Sequence, residues 1–193
     1  MKRILLILLV LLASKTFSQT VTYAFSAGVN FSNLPGNGYP SFSNYLFGVR
    51  GGALADIGFR NFSLQPGLLF TKLGGQNTSN TEHLVLNYVQ IPLNLIYREK
   101  EKDGSFFIGG GPYLSFGTLA TYVYGTERDN YYFGNYEGFH RADFGLNVLM
   151  GYQFDNGLAI SGGYGVGLTD VYSTGPNNRN GAFNISVDYF FKL

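Results

Sequence analysis

The sequence contains no cysteine and no tryptophan, and only 13% of its 193 residues are charged. The lack of cysteine excludes disulfides, thiol catalysis and a lipid-modified N-terminal cysteine. A typical soluble domain has about 25% charged residues, so this chain is poor in charge. The formal net charge of +1 gives no electrostatic basis for binding nucleic acid or an acidic partner. Composition therefore argues against a disulfide scaffold and against a nucleic-acid-binding protein.

Long apolar runs are also scarce, and the one clear run lies at the N-terminus, at residues 4–12. Lys2 and Arg3 precede it, and the small residues Thr16 and Ser18 stand just before Gln19. This arrangement predicts a secretory signal peptide at residues 1–18. The run is too short for a membrane-spanning helix, which needs about 20 residues. We therefore expect residues 19–193 to be exported, and to cross a membrane only as strands.

Aromatic residues and glycine are abundant, with 15 Tyr, 18 Phe and 27 Gly, and they follow a period of two. In the final stretch, "GAFNISVDYFFKL", Phe183, Ile185 and Val187 alternate with Asn184 and Ser186. Successive side chains of a strand point to opposite faces, so this pattern predicts a β-strand. The pattern recurs about eight times. The predicted strands lie near 21–31, 45–57, 62–73, 84–98, 105–120, 141–154, 158–169 and 181–193.

A soluble barrel and a membrane barrel show the same period of two, so the period does not tell which face of the strands contacts water. The composition of the less apolar face decides this question. A face in bulk water usually carries many Lys, Glu, Asp and Arg. Here that face carries Gly, Ser, Ala, Asn and Gln, which suit the crowded interior of a narrow barrel. The large apolar residues then form a lipid-facing band. Leu146, Val148 and Ile160 are predicted to face lipid near mid-membrane.

The connections alternate between short and long along the chain. The short ones lie at 58–61, 99–104 and 155–157, and the long ones near 32–44, 74–83, 121–138 and 170–181. Outer-membrane barrels place long loops outside and short turns in the periplasm. The sequence therefore predicts an all-β protein, an eight-stranded antiparallel up-and-down transmembrane β-barrel. Its expected location is the bacterial outer membrane, with membrane lipid as a partner and the last strand sealing against the first.

Several blocks, including "LQPGLLF" and "NYVQIPL", resemble the PorT-like outer-membrane β-barrel family and, more loosely, the OmpA/OmpX-type small barrels. The resemblance covers nearly all of residues 19–193 and implies the same fold and location. Some members of the family take part in a protein-secretion and gliding apparatus. Members often carry Glu where this chain has Gln90. The terminal strand resembles the signal read by the outer-membrane assembly machinery, with Leu193 in place of the more usual Phe, so that machinery is a predicted partner.

The inward phase carries the polar residues that we predict to fill the lumen. They are Arg50, Gln65, Gln90, Asn94, Asp143, Asn147 and Asp188. A narrow interior holds little water, so an unpaired guanidinium there is costly. We expect Asp143 or Asp188 to neutralise Arg50 and the lumen to be plugged.

Catalysis and metal binding have little support in the sequence. The chain has two histidines, His83 and His140. His140 lies roughly where lipid A deacylase barrels hold a catalytic His, but the Ser two residues on in those enzymes is here Ala142. Glu82 and Glu137 lie near the two histidines without the spacing of a metal site. We expect no enzymatic activity, no cofactor and no metal.

The loop "YVYGTERDNYYFGNYEGF" carries the densest aromatic cluster outside the predicted strands. One interpretation, which we favour, is a strand extension with an aromatic girdle at the lipid headgroups. The other is an extracellular contact surface, because exposed aromatic clusters mark binding sites. Its candidate residues are Tyr131, Tyr132, Phe133 and Tyr136.

A barrel of eight strands encloses no wide channel. The leading function is a structural or interaction role at the cell envelope, such as anchoring, adhesion or assembly. The alternative is a narrow pore or an accessory component of a secretion or gliding apparatus. A soluble exported ligand-binding barrel requires the opposite phase of the strands.

Overall fold

The computed structural model describes residues 20–36, 42–79, 81–133, 138–173 and 177–191, and these residues form an antiparallel sheet of nine strands. The strands are β1 (Thr20–Leu34), β2 (Phe42–Phe59), β3 (Phe62–Gln76), β4 (Glu82–Glu101), β5 (Gly104–Tyr124), β6 (Glu127–Tyr131), β7 (Ala142–Phe154), β8 (Leu158–Gly167) and β9 (Gly181–Phe191). No helix in the described ranges is long and apolar enough to cross a membrane. The predicted signal peptide at 1–18 and the final Leu193 lie outside the described residues.

Eight of these strands close into a ring, in the order β1-β2-β3-β4-β5-β7-β8-β9. Neighbouring strands pair antiparallel, and β9 returns to β1 over a register that runs from Tyr23↔Phe191 to Asn33↔Gly181. Closure removes the sheet edges and gives every strand two partners, which lipid requires of any spanning structure. The predicted eight-stranded up-and-down barrel is confirmed.

Strand β6 is outside the ring and was predicted only as an extension of a neighbouring strand. It pairs with the upper part of β5, from Ala120↔Tyr131 to Tyr124↔Glu127, whereas β7 pairs with the lower part of β5. Gly125 has φ of 57°, which permits a tight two-residue turn between β5 and β6. The interpretation of the aromatic loop as a strand extension is thus confirmed for 127–131.

The strands extend much further beyond the membrane at one end of the barrel, the tall end, than at the other. β4 has 20 residues and β5 has 21, whereas a tilted strand crosses the bilayer in about 9–11. The short turns, including one with Gly157 at φ of 88°, lie together at the opposite end. By the rule that short turns are periplasmic, the tall end is extracellular. We call the part of β4, β5 and β6 at 82–86 and 120–131 the extracellular extension.

The exterior of the ring is apolar and the interior is mixed. Val148 is 63% exposed and Phe25 is 66% exposed, whereas the next residues along β1, Ala24 and Ser26, are buried. Leu146 and Ile160 are also exposed on the outer wall, as the phase predicted. The barrel therefore presents its large apolar side chains to lipid.

Two apolar layers of buried side chains lie in the interior at different heights. The upper layer, at the extracellular mouth, consists of Leu34, Phe42, Leu73, Leu84, Leu86, Tyr88, Ala120, Phe133, Phe139, Val171 and Ala182. The lower layer, towards the short turns, consists of Ala24, Leu54, Leu69, Ile96, Phe107, Ala159 and Phe190. The interior is thus a polar compartment between two apolar layers.

Candidate functional site: the barrel interior and the extracellular extension

The polar compartment holds a cavity of about 70 Å³. Six of the seven residues predicted for the lumen line it: Arg50, Gln65, Gln90, Asn94, Asn147 and Asp188. A water molecule needs roughly 10–15 Å³ of such space, so the cavity has room for about five waters. Its size suits hydration and small ions.

Arg50 lies in this cavity without the direct carboxylate partner that we expected. Its Nε is buried with no hydrogen bond. Asp188 lines the same cavity and acts on Arg50 electrostatically, but the ion pairs among the described residues are formed by other side chains. On β1, Gly28 is paired with Arg50 of β2, and Ser26 is paired with Asp188 of β9. The two charged groups are therefore separated by the width of β1 and by two residues along it. The interaction of Arg50 with Asp188 therefore acts across the cavity.

Asp143 is engaged elsewhere, in a buried network that fastens the last extracellular loop. It accepts hydrogen bonds from Asn180 Nδ2 at 2.9 Å and from the Tyr113 hydroxyl at 3.4 Å. Asn180 Nδ2 also reaches the Tyr88 hydroxyl at 3.4 Å. The expectation that Asp143 neutralises Arg50 is wrong, because Asp143 faces the loop residue Asn180. Asn180 lies in an irregular segment, where no periodicity indicates an inward side chain.

A second polar network, which the sequence analysis did not identify, lies at the periplasmic end. Arg98 Nη2 donates to Asp56 Oδ1 at 3.0 Å, Arg98 Nε donates to Gln153 Oε1 at 3.1 Å, and Arg98 Nη1 donates to Ser63. Asp56 Oδ1 also accepts from Ser63 Oγ at 2.7 Å and from Gln65 Nε2 at 3.4 Å. Asp56 and Arg98 both lie in the inward phase of their strands, which is the sequence signal for this network.

Arg98 is also bounded by two rings of the lower layer. Its guanidinium carbon lies 5.9 Å from the ring centroids of both Phe107 and Phe190. This distance is within the range of cation–π attraction. The network and the lower layer thus lie against each other at the periplasmic end.

The upper layer changes the interpretation of the aromatic loop. Phe133 is only 7% exposed, and its ring lies 5.4 Å from Tyr88 and 5.7 Å from Phe139. The prediction of Phe133 as a contact residue is therefore wrong, because the chain turns back after β6 and places this ring in the barrel mouth. The Tyr172 ring packs against Phe139 with centroids 5.3 Å apart, and burial raises the pKa of the Tyr172 hydroxyl to about 12.

The other candidate contact residues divide into two groups. Tyr131 is 37% exposed at the end of β6, and Tyr132 is 70% exposed immediately after it. Tyr136 lies outside the described residues. The exposed aromatic surface is thus narrower than predicted, and it adjoins the extracellular extension.

The extension carries different charges on its two faces. Residues directly opposite each other on neighbouring strands share a face. The register Glu82↔Tyr124↔Glu127 and the pairing of Asp129 with Tyr122 therefore place three carboxylates on the inner face. The Tyr122 hydroxyl donates to Glu82 at 2.6 Å. The register His83↔Val123↔Arg128 places the basic groups on the outer face.

The histidines form no recognisable catalytic or metal centre among the described residues. His140 is exposed, and its backbone N–H donates to the Val171 carbonyl at 2.9 Å. Ala142 supplies no nucleophile. No cluster of three or more His, Cys, Asp or Glu side chains suited to a metal ion occurs within the described ranges.

Comparison with known proteins agrees with this architecture. The family model of the outer membrane protein β-barrel domain matches residues 17–173. The chain is similar to Neisserial surface protein A, with 15% identity, a TM-score of 0.54, and coverage of 88% of this chain and 97% of that chain. It is also similar to Ail, the attachment invasion locus protein of Yersinia pestis, with 15% identity, a TM-score of 0.48, and coverage of 89% and 99%. No curated protein matches the chain. The chain belongs to the outer membrane protein β-barrel domain family and is an integral β-barrel of the bacterial outer membrane.

Proposed function

We propose that this protein is a closed, non-conducting barrel that serves an interaction role at the cell surface through its extracellular extension. The observation that supports the proposal is the contrast between an interior filled by two apolar layers and an exposed sheet that extends beyond the membrane. Among the described residues, the upper and lower layers lie on either side of the small cavity. All five residues of β6 are exposed.

The character of the extension supports contact with another molecule. Its two faces differ in charge, and the exposed Tyr131 and Tyr132 lie beside it. Tyrosines of this kind contribute large contact area at low entropic cost in binding surfaces. Adhesion, anchoring and assembly all require such a surface, and none of them requires catalysis. We accordingly propose a non-enzymatic role.

A second candidate is an accessory role in a protein-secretion or gliding apparatus. The resemblance of "LQPGLLF" and "NYVQIPL" to the PorT-like family supports it. The two candidates differ in where the partner docks, since the periplasmic turns are the natural contact for a machine that spans the envelope. We also propose that the assembly machinery recognises the terminal strand β9.

Site-specific photocrosslinking in native membranes tests both candidates. A photoreactive residue at Arg128, on the extension, should form an adduct of defined mass with a surface partner. The same group at Arg60, in the β2–β3 turn, is the matched control and should form none. An adduct at Arg60 alone would favour the secretion candidate, and adducts at neither site would contradict a stable protein partner.

Electrical recording tests the closed interior separately. The purified barrel in planar bilayers should show no steady conductance, because the apolar layers exclude a continuous water path. Ohmic conductance from the native chain would refute the non-conducting barrel and favour the pore.

A further inference from the structure

The outer wall carries an open apolar notch that the surface role does not explain. It crosses β4, β5, β7 and β8 close to the periplasmic turns and has a volume of about 510 Å³. Its walls are formed by Tyr97, Phe106, Ile108, Met150, Tyr152 and Ile160. The notch therefore opens to the lipid of the inner leaflet.

The strand register makes the notch a continuous apolar surface. Ile108 is paired with both Tyr97 and Met150, and Tyr152 with both Phe106 and Ile160, so these side chains share the outer face. The Phe106 and Tyr152 rings meet edge to face, with centroids 4.8 Å apart and an interplanar angle of 74°. Tyr97, Phe106 and Tyr152 thus supply aromatic surface to the notch, and Ile108, Met150 and Ile160 supply aliphatic surface.

The rim of the notch is acidic. Glu99 lines the notch and accepts a hydrogen bond from the Tyr97 hydroxyl at 2.5 Å. Glu101, Asp103 and Asp155 lie close enough to the Tyr152 hydroxyl to act on it electrostatically. One carboxylate therefore lines the notch, and three more lie near its Tyr152.

The cations nearby do not cancel this charge. Lys100 lies in the inward phase of β4, opposite Ser105, and Lys102 lies in the turn that follows. Among the described residues at this rim, four carboxylates thus outnumber two ammonium groups, and one of these, on Lys100, lies in the inward phase. An anionic headgroup is disfavoured at this rim, and a headgroup that carries an accessible ammonium is favoured.

We propose that the notch is a specific site for an inner-leaflet phospholipid with an ammonium headgroup, of the phosphatidylethanolamine type. The acyl chain lies along Ile108, Met150 and Ile160. The ammonium sits at Glu99, next to the faces of Tyr97 and Tyr152, which adds cation–π attraction to the charge attraction. The site is independent of any partner of the extracellular extension.

The absence of native tryptophan makes the test direct. A Met150→Trp variant places a single fluorophore in the notch. A Phe25→Trp variant is the matched control, since Phe25 faces lipid on the opposite wall, a similar distance from the periplasmic strand ends. Each is reconstituted in vesicles of equal phosphatidylethanolamine and phosphatidylglycerol, with bromine on one lipid or the other.

The expected result is unequal quenching at the notch alone. A charge near the membrane surface changes lipid affinity by about fivefold, so brominated phosphatidylethanolamine should occupy the notch about fivefold more than the brominated phosphatidylglycerol. Phe25→Trp should report equal occupancy. Adding Glu99→Gln to Met150→Trp should reduce the preference, and high salt should reduce it as well.

Equal quenching by both lipids at Met150→Trp, or preference for phosphatidylglycerol, would overturn the proposal. Weak quenching by both, together with cross-linked dimers, would show that a second copy of the chain fills the notch, which also overturns it. Folding of each variant is checked by the change in gel mobility between unheated and heated samples. If Met150→Trp does not fold by this measure, Ile160→Trp reports the same notch from β8.

Discussion

Replacing Arg98 with methionine removes the cation that joins β4 to three other strands, β2, β3 and β7, at the periplasmic end of the barrel. Asp56 then keeps only its neutral donors, Ser63 and Gln65, at a site where its side chain is 11% exposed. Removing one partner of a buried pair costs about 3–5 kcal/mol, because the remaining charge is uncompensated. The two lost cation–π contacts, to rings of the lower layer, add about 0.5–1 kcal/mol each.

The complementary change, Asp56→Asn, should cost less. The amide oxygen still accepts from Ser63, and Arg98 keeps Gln153 and a side chain that is 17% exposed. A loss of about 1–3 kcal/mol is expected for this substitution. The double variant leaves no unpaired charge in the interior. Its loss of unfolding free energy should therefore be smaller than the sum of the two single losses by about 1.5–3 kcal/mol.

The measurement is equilibrium unfolding of the barrel in lipid vesicles. Since the chain has no tryptophan, all variants carry Phe25→Trp as a common fluorophore. The matched control is the pair Arg179–Asp170, which has the same 3.0 Å separation but side chains 49% and 30% exposed. Exposed pairs contribute about 0–1 kcal/mol, so this cycle should be nearly additive. Additivity within about 0.5 kcal/mol for Arg98 and Asp56 as well would refute the network.

Three further predictions concern the wall, the mouth and the backbone packing. Leu146→Arg places a charge at the lipid face and should cost about 2–4 kcal/mol of folding free energy in bilayers; unchanged folding would mean an inverted phase. Phe133→Ala removes a ring from the upper layer and should expose the extracellular loops to limited proteolysis while the barrel persists, so an unchanged cleavage rate would contradict the packing. A Cβ at Gly28 would lie 2.3 Å from the Ile185 carbonyl oxygen, whereas one at Gly162 would lie 3.9 Å from its nearest neighbour. Gly28→Ala should therefore lower the unfolding free energy by about 1–3 kcal/mol and Gly162→Ala should not, and equal unfolding midpoints would contradict this difference.

The strands were predictable because lipid and lumen impose opposite demands on alternate residues. The predicted segment 62–73 and the observed Phe62–Gln76 begin at the same residue. The pattern also contained a sign of the two layers, since "NYVQIPLNLIY" at 87–97 is apolar on both faces, and Tyr88 and Ile96 are indeed buried inside.

The parts that could not be predicted depend on contacts between distant segments without a period. Phe133 and Asn180 enter the barrel mouth from irregular loops, so no alternation marks them as inward. Asp56 and Arg98 are inward by phase, but their contact depends on the stagger of β2, β3 and β4. Arg50 and Asp188 were placed correctly by phase and interact electrostatically, but the lack of a direct ion pair between them was not predictable, because the cavity that both line is a property of the whole ring.

The pairing of β1 with β9 has a consequence for how the barrel forms. Every other pair in the ring joins strands that are near neighbours in sequence, whereas this pair joins the two ends of the described chain. Closing so long a loop is entropically slow, so the local hairpins should form first and the seam last. Until then β1 and β9 each expose a row of unpaired main-chain donors and acceptors, which are prone to aggregate with other chains. We therefore expect an open, curved sheet to precede closure, and shielding of its two edges to raise the yield of folded barrel.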